Sequence, residues 1–255
     1  MFLAKKIRLR PSEEQEKQLW KSVGTARFIY NWTLNKQEVN HKNGGKFISD
    51  RTLRKEITQL KKSELSWLND VSNNVAKQAV KDACNAYKRF FKGLADKPKF
   101  KRRKTSKPSF YNDNEKLKVK KNSVLIEKVG WVRTAEQVPM DCQYRNPRIS
   151  FDGKYWYLSV GVEQAQQSIK LTDETIGIDM GIKDLAVCSN GTVIKNINKT
   201  AKVRKLEKRL RKLQRSVSRK YEQNKEGSRF VKTSNIIKQE KQIRLLHRKL
   251  TNIRM

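Results

Sequence analysis

The chain has 255 residues, of which 59 are Lys or Arg and 25 are Asp or Glu, a formal charge of +34 at neutral pH. Charged residues make up 33% of the chain against a typical share of about a quarter, and nearly all of the excess carries one sign. That balance argues against an ordinary metabolic enzyme and makes a polyanion the natural partner. At roughly 150 residues per domain the length suits one large or two modest domains, and the 36% apolar share includes enough Trp, Tyr and Phe for a packed core. No apolar run approaches the ~20 residues of a membrane span, and the start MFLAKKIRLR lacks a continuous apolar core. The sequence therefore reads as cytoplasmic and nucleoid-associated, with no membrane partner. Cys84, Cys142 and Cys188 stand far apart, with only His41 and His247 beside them, which leaves neither a disulfide framework nor a zinc site.

In FLAKKIRLR, Leu3, Ile7 and Leu9 share an alternating face, which predicts a half-buried strand closed by Pro11. Ser12 with Gln15 three residues on is a capping box, and Leu19, Val23, Ala26 and Tyr30 continue at helical spacing towards Asn43-Gly44-Gly45. Ser49 can cap a second helix carrying Leu53, Ile57 and Leu60. Ser72 can cap a third with Val75, Ala79, Ala83, Ala86 and Phe90 facing inward. Residues 12–94 thus read as a small helical bundle. KPKFKRRK then places six basic residues in eight positions around a proline that resists helix formation. Lys97, Lys99, Lys101, Arg102, Arg103 and Lys104 are candidate phosphate contacts, with a solvated linker as the plain alternative.

Short alternating runs follow, ending in RISF and KYWYLSVGV around Asp152-Gly153, the strongest hairpin signal in the chain. Residues 109–165 read as antiparallel β, with the N-terminal strand as an extra member, so the helices interrupt a β domain. IGIDMG, DLAVCS and TVIKNI form a meander. Two long helices close the chain, one carrying Val203, Leu206, Leu210, Leu213 and Val217, the other Ile236, Ile243, Leu246, Leu250 and Ile253. With Glu226-Gly227-Ser228 between them they predict an antiparallel hairpin. Lys199 to Lys220 holds eleven Lys or Arg against Glu207 alone, an imbalance that favours a phosphate track, with Arg204 and Arg211 among its candidates. The fold class is α+β.

Asp179 stands in the apolar strand IGIDMG, where a carboxylate needs a cation or a donor. A strand-end Asp bonded into its turn is the even alternative. A two-metal nuclease needs several carboxylates, and Asp173, Glu174 and Asp184 make poor second ligands. His41 and His247 adjoin no nucleophile signature, and there is no Walker loop or GxGxxG. Among aromatics next to basic residues, Phe110 and Tyr111 are the better stacking candidates, while Trp156 and Tyr157 read as core.

In this order and spacing the segments resemble the TnpB (OrfB) family, transposon-encoded RNA-guided DNA nucleases also described as transposases. The resemblance rests on KKIRLRPSEEQEKQLW with RFIYNWTLN, NNVAKQAVKDACNAYKRFFKG leading into KPKFKRRK, KVGWVR, GKYWYLSV and GIDMGIKDLAV with its basic helices, and covers essentially the whole chain. It implies a wedge domain of β-barrel type (1–10 and 96–168), a helical recognition lobe with a helix-turn-helix region (11–95), and the N-terminal part of a RuvC domain of RNase H-like fold (172–255). It also implies a guide RNA, double-stranded target DNA recognised beside a short motif, a separate transposase of the same element, and Mg²⁺ at the RuvC site. Asp179 matches the first RuvC carboxylate and would be a Mg²⁺ ligand if its site were completed. Asn74 and Gln78 match the helix that meets the adjacent-motif DNA, where amides can bond adenine edges; Asn74 near a helix start could equally aid its cap. Family members continue with a catalytic Glu, a zinc ribbon of paired CxxC motifs and a final Asp, whereas this sequence stops at NIRM, so the zinc site is absent and nuclease activity is not expected from this polypeptide alone. The readings that follow are a truncated RNA- and DNA-binding remnant, a catalytically dead RNA-guided regulator, or an unguided helix-turn-helix transposase subunit, with a generic RNA-binding protein as the plain alternative.

Overall fold

Residue by residue, the computed structural model describes positions 2–103, 105–140, 142–164, 173, 175–227 and 229–254. Lys104, Glu174 and Ser228 lie outside the described residues. The chain divides into two units, Met1–Gln166 and Gln167–Met255.

The first unit begins with β1 (Phe2–Arg10), followed by α1 (Glu13–Lys42), α2 (Asp50–Leu60), a 3₁₀ turn (Ser66–Asp70) and α3 (Asn73–Phe91). The helix starts follow from their caps. Ser12 accepts from the Gln15 amide while the Gln15 side chain accepts from the Ser12 amide, the reciprocal box that satisfies two otherwise orphaned donors. Ser49 and Ser72 accept from the Thr52 and Asn74 amides. After Asn43 the connection is held by Gln37, whose amide both donates to the Ile48 carbonyl (2.7 Å) and accepts from the Ile48 amide (3.1 Å). Ile29, Leu53, Ile57, Leu68, Ala76, Ala79, Val80 and Cys84 pack into one buried cluster of the bundle, and Tyr30, Leu34, Ala83 and Tyr87 into another.

Six further strands complete this unit: β2 (Ser109–Tyr111), β3 (Lys118–Lys120), β4 (Ser123–Ile126), β5 (Gly130–Thr134), β6 (Tyr144–Phe151) and β7 (Trp156–Glu163). With β1 they form a seven-stranded antiparallel sheet in the order β2-β6-β7-β1-β5-β4-β3, and no closed sheet is found among the described residues. β1 pairs with β7 from Phe2↔Glu163 to Leu9↔Trp156, and its last two residues also pair with β5. The β6–β7 turn forms at Asp152-Gly153, where the Asp152 carboxylate accepts from the Lys154 and Tyr155 amides and Gly153 takes φ +100°. Between Arg145 and Arg148 the register slips at a bulge, with Asn146 at φ +49°. Gly161 lies opposite, and a Cβ there would stand 3.3 Å from the Arg145 carbonyl oxygen.

The sheet's core contains Ile7, Leu9, Val124, Val132, Ile149, Trp156 and Leu158, with Leu19 and Val23 of α1 and Val75 of α3 packed among them. Helix α1 is also clasped polarly: Glu16 accepts from the indoles of Trp156 (3.2 Å) and Trp20 (3.3 Å), whose rings meet edge to face at 5.0 Å. Leu3, expected inward, is 38% exposed at the strand's start.

The second unit contains a meander of β8 (Ile178–Asp179), β9 (Asp184–Cys188) and β10 (Val193–Lys195), paired in the order β10-β9-β8. A 3₁₀ turn (Ile197–Lys199) leads to α4 (Ala201–Gln223), and α5 (Ser234–Arg254) ends the unit. Val203, Leu210, Leu246 and Leu250 form the seam between the two helices, with Leu206, Leu213, Ile243 and Ile253 half-buried beside it. Their connection is a small ribbon of β11 (Lys225–Glu226) and β12 (Arg229–Phe230). No described helix is long and apolar enough to cross a membrane.

Leu34 has no exposed surface, so Leu34→Ala is expected to lower stability by about 2–5 kcal/mol in denaturant unfolding. Val39→Ala, at a residue of the same helix that is 47% exposed, is expected to change it by less than about 0.5 kcal/mol.

Candidate nucleic-acid interface

The basic loop after α3 is anchored at one residue. Asn31 of α1 grips Lys101 by both backbone groups, accepting from its amide (2.8 Å) and donating to its carbonyl (2.9 Å). The Lys101 ammonium then lies 3.9 Å from the centre of the Tyr30 ring, and burial lowers its pKa, partly offset by the Asp82 carboxylate. This lysine ties the loop to α1. Lys97, Lys99, Arg102 and Arg103 are exposed, Lys97 beside Glu38 at 3.3 Å and Arg102 with its amide on the Ser106 hydroxyl. Those four present charge outward from an anchored backbone.

On α3, Asn74, Gln78 and Asp82 follow at four-residue steps and all are half-buried. Each meets a partner within the unit. The Asn74 amide donates to Glu127 (3.2 Å), which also accepts from the Ser72 hydroxyl, and the Gln78 amide donates to Asp82 (2.8 Å). Asp82 in turn receives a two-pronged bond from Arg148, at 2.9 and 3.0 Å. Arg148 follows the β6 bulge and pairs in register with Tyr111. Tyr111 is half-buried, its hydroxyl near Asn114 and its pKa raised by burial and by Asp113. Phe110, by contrast, is 3% exposed because alternation turns it into the core, which removes it as a stacking residue. Trp156 is core at 2% exposure, while the half-buried Tyr157 ring carries the Lys6 ammonium at 4.3 Å.

In the second unit the seam turns one face of α4 inward and leaves Lys202, Arg204, Lys205, Lys208, Arg209, Arg211, Lys212, Arg215 and Arg219 exposed. Glu207, the acid among them, is bound by Arg254 at 2.7 Å. A helix of this length runs about 34 Å, close to one turn of a duplex. At the other end of the hairpin Lys232 and the Tyr221 hydroxyl both donate to Glu240, at 2.5 and 2.7 Å. Burial works against the charges on Lys232 and Glu240, but their mutual bond outweighs it, leaving the lysine above and the carboxyl below their ordinary values. Tyr221 is raised, by burial and then by Glu240.

Asp179 is exposed on β8 opposite Val187, so the cost of a buried carboxylate that singled it out does not arise. Among the described residues no three of His, Cys, Asp and Glu come together to hold a metal ion. One lone carboxylate does not fit a two-metal centre.

Residues 1–46 match the helix-turn-helix domain of OrfB proteins, and residues 158–255 match the OrfB family described as a probable transposase. The matched N-terminal segment contains β1 and α1, with α2 beginning at Asp50. Over 252 residues the chain is 31% identical to "Putative RNA-guided DNA endonuclease InsQ" of Escherichia coli K12, covering 98% of this chain and 60% of that protein. Over 220 residues it is 27% identical to a "Putative RNA-guided DNA endonuclease" of Streptomyces pristinaespiralis, covering 84% of this chain and 54% of the other. The chain thus spans just over half the length of these relatives.

The Lys232–Tyr221–Glu240 group sets a pH window for the hairpin. The lowered Glu240 pKa adds stability that is present above the unfolded value of 4.5 and lost as pH falls through the folded one; the raised Lys232 and Tyr221 values add stability lost as pH rises past about 10. Glu240→Gln is expected to weaken the hairpin by about 0.2–1 kcal/mol at pH 7 and flatten the acid side of its stability profile, read from thermal melts by circular dichroism.

Proposed function

Because the chain belongs to the OrfB (TnpB) family, we propose that it is a nucleic-acid-binding transposon protein whose partners are a guide RNA and double-stranded DNA. The observation that carries this reading is the α4 face, where nine exposed Lys and Arg side chains run along one helix and the intervening acid is engaged by Arg254. Such a stripe neutralises phosphates and releases their counterions, a source of affinity independent of sequence. The exposed cations of the anchored loop add to it. The names of the two relatives support RNA-guided action on DNA as the setting.

The sheet interrupted by helices after β1 supports a wedge and recognition-lobe arrangement, and a meander followed by a helix pair supports the opening of an RNase H-like domain. In that scheme Asn74 and Gln78 read base edges, which requires them to exchange Glu127 and Asp82 for DNA. Their present bonds hold both amides in defined rotamers on one face. Mg²⁺ chemistry needs donors beyond Asp179, so we propose that this polypeptide by itself binds without cutting. A second reading, unguided DNA binding through the N-terminal helices, is favoured by the helix-turn-helix match at residues 1–46.

Replacing Arg204 and Arg211 by Gln is expected to weaken binding to all sequences alike and to lower the salt slope of log K by about 2, measured by titration at several salt concentrations. Gln78→Ala should instead cost about 1–3 kcal/mol at one base pair of duplex DNA and leave that slope unchanged. Identical behaviour of the two variants would refute the division. RNase treatment separates the readings, since target selection is lost if RNA guides it and persists if the helices act alone. A Mg²⁺-dependent cut of guide-programmed DNA abolished by Asp179→Ala would overturn the non-cutting proposal.

A further inference from the structure

Where the last turn of α1, the 43–48 connection and the end of α3 meet, the bundle opens into an aromatic cleft of about 400 Å³, within the ~300–1,000 Å³ range of small-ligand sites. Its aromatic lining is Phe47, Tyr87, Phe90 and Phe91, with His41 and Lys97 among the polar residues around it. Phe91 is 60% exposed and Phe47 38%, although both are large apolar side chains with a core close by. Their geometry is ordered: Phe91 stacks on Tyr87 with the planes 21° apart, and Phe47 stands edge-on to Phe91 at 6.0 Å and to Tyr87 at 6.4 Å. Tyr87 is 5% exposed, and its hydroxyl is closed off from solvent with no hydrogen-bond partner among the described residues. Burial, then the charge of Glu38 and the proximity of Tyr30, push its pKa up to about 12, which keeps the proton on it at neutral pH.

The charge around the cleft selects the class of occupant. Lys42 and Lys97 line it, exposed Lys46 and Lys92 directly adjoin the lining residues Phe47 and Phe91 in sequence, and the carboxylate of Glu38 is paired with Lys97 at 3.3 Å. An exposed π face inside a cationic rim matches a planar base attached to a phosphate chain. In duplex DNA the bases are stacked on one another; of the partners proposed above, RNA is the one whose loops and ends present single, unstacked bases.

We propose that this cleft receives one unstacked base of a single-stranded RNA segment, stacked against Phe91 and Phe47, with the flanking phosphates on the lysine rim. The inference rests on the nucleic-acid-binding reading and adds to it a site on the helical bundle separate from the α4 stripe. Base–aromatic stacking contributes roughly 5- to 150-fold in affinity per base and carries no salt dependence of its own.

The test uses the full chain and an RNA hairpin whose single-stranded loop carries 2-aminopurine. Binding by the unaltered protein is expected to quench the 2-aminopurine fluorescence. Phe91→Ala, alone and together with Phe47→Ala, should abolish the quench and weaken binding of the looped RNA by about 5- to 150-fold at an unchanged salt slope. Affinity for a fully paired RNA of the same length should stay as it was, and Phe91→Trp should retain the quench. Circular dichroism checks that each variant folds, and the exposure of Phe91 makes its single substitution the safer arm. Equal affinity of variant and unaltered protein for the looped RNA, equal loss on the paired RNA, or a loss confined to single-stranded DNA would overturn the assignment. Failure of the unaltered protein to bind any RNA would defeat the functional reading and this one with it. Binding that is weakened by the Arg204 and Arg211 substitutions but indifferent to Phe91→Ala would defeat this one alone.

Discussion

A chain with 59 basic and 25 acidic residues repels itself at every surface, so its fold depends on where the few carboxylates stand. Five of them stand at joints. Glu16 fastens α1 to the sheet through the Trp156 indole, and Asp82 fastens α3 to β6 through the Arg148 fork. Glu127 takes the Ser72 hydroxyl and the Asn74 amide at the entry to α3. In the second unit Glu207 holds the last turn of α5, and Glu240 gathers Lys232 and Tyr221 at the opposite end. Glu16, Asp82, Glu127 and Glu240 gain more than an exposed ion pair would, because a neutral donor or a second bond shares the same carboxylate, whereas Glu207 meets Arg254 alone. Removing one would untie a joint and raise the net charge in the same step.

This placement sorts the cations. Arg148 and Lys101 are partnered and half-buried, one on a carboxylate and the other on an aromatic face, and both serve the architecture. Nine lysines and arginines along α4 are exposed, and they are the cations to which the proposed phosphate contacts fall. Counting charge along the sequence treats these two populations alike. Within KPKFKRRK the division falls between adjacent residues, since Lys101 is drawn under by Asn31 while Arg102 and Arg103 stay outside.

What could be read from the sequence was local. Caps at Ser12, Ser49 and Ser72, the Asp152-Gly153 turn, the meander and the two final helices are each encoded within a few residues, by a hydroxyl near an orphaned amide or by apolar spacing. What could not be read was set by partners far along the chain. Phe110 looks available beside the basic loop until the sheet core closes around it, and Asn74 offers a free amide until Glu127, 53 positions on, takes it. The aromatic cleft draws Phe47 and Phe91 from 44 positions apart, and no period in the sequence joins them. Asp179 shows the opposite error, since apolar neighbours in sequence did not bury it.

The surroundings of Asp179 also explain why binding and cutting place different demands on this polypeptide. Ile178, Met180, Ile182, Val187 and Val193 are each more than 40% exposed, so the meander presents apolar side chains that nothing among the described residues covers. Three short strands need a packed apolar face to hold a fixed geometry, and phosphoryl-transfer chemistry needs carboxylates fixed to within about half an ångström. The α4 stripe makes no such demand. In the binding reading proposed above, its long side chains would reach phosphates from a helix held by its own seam at Val203, Leu210, Leu246 and Leu250, which needs no cover over the sheet beside Asp179.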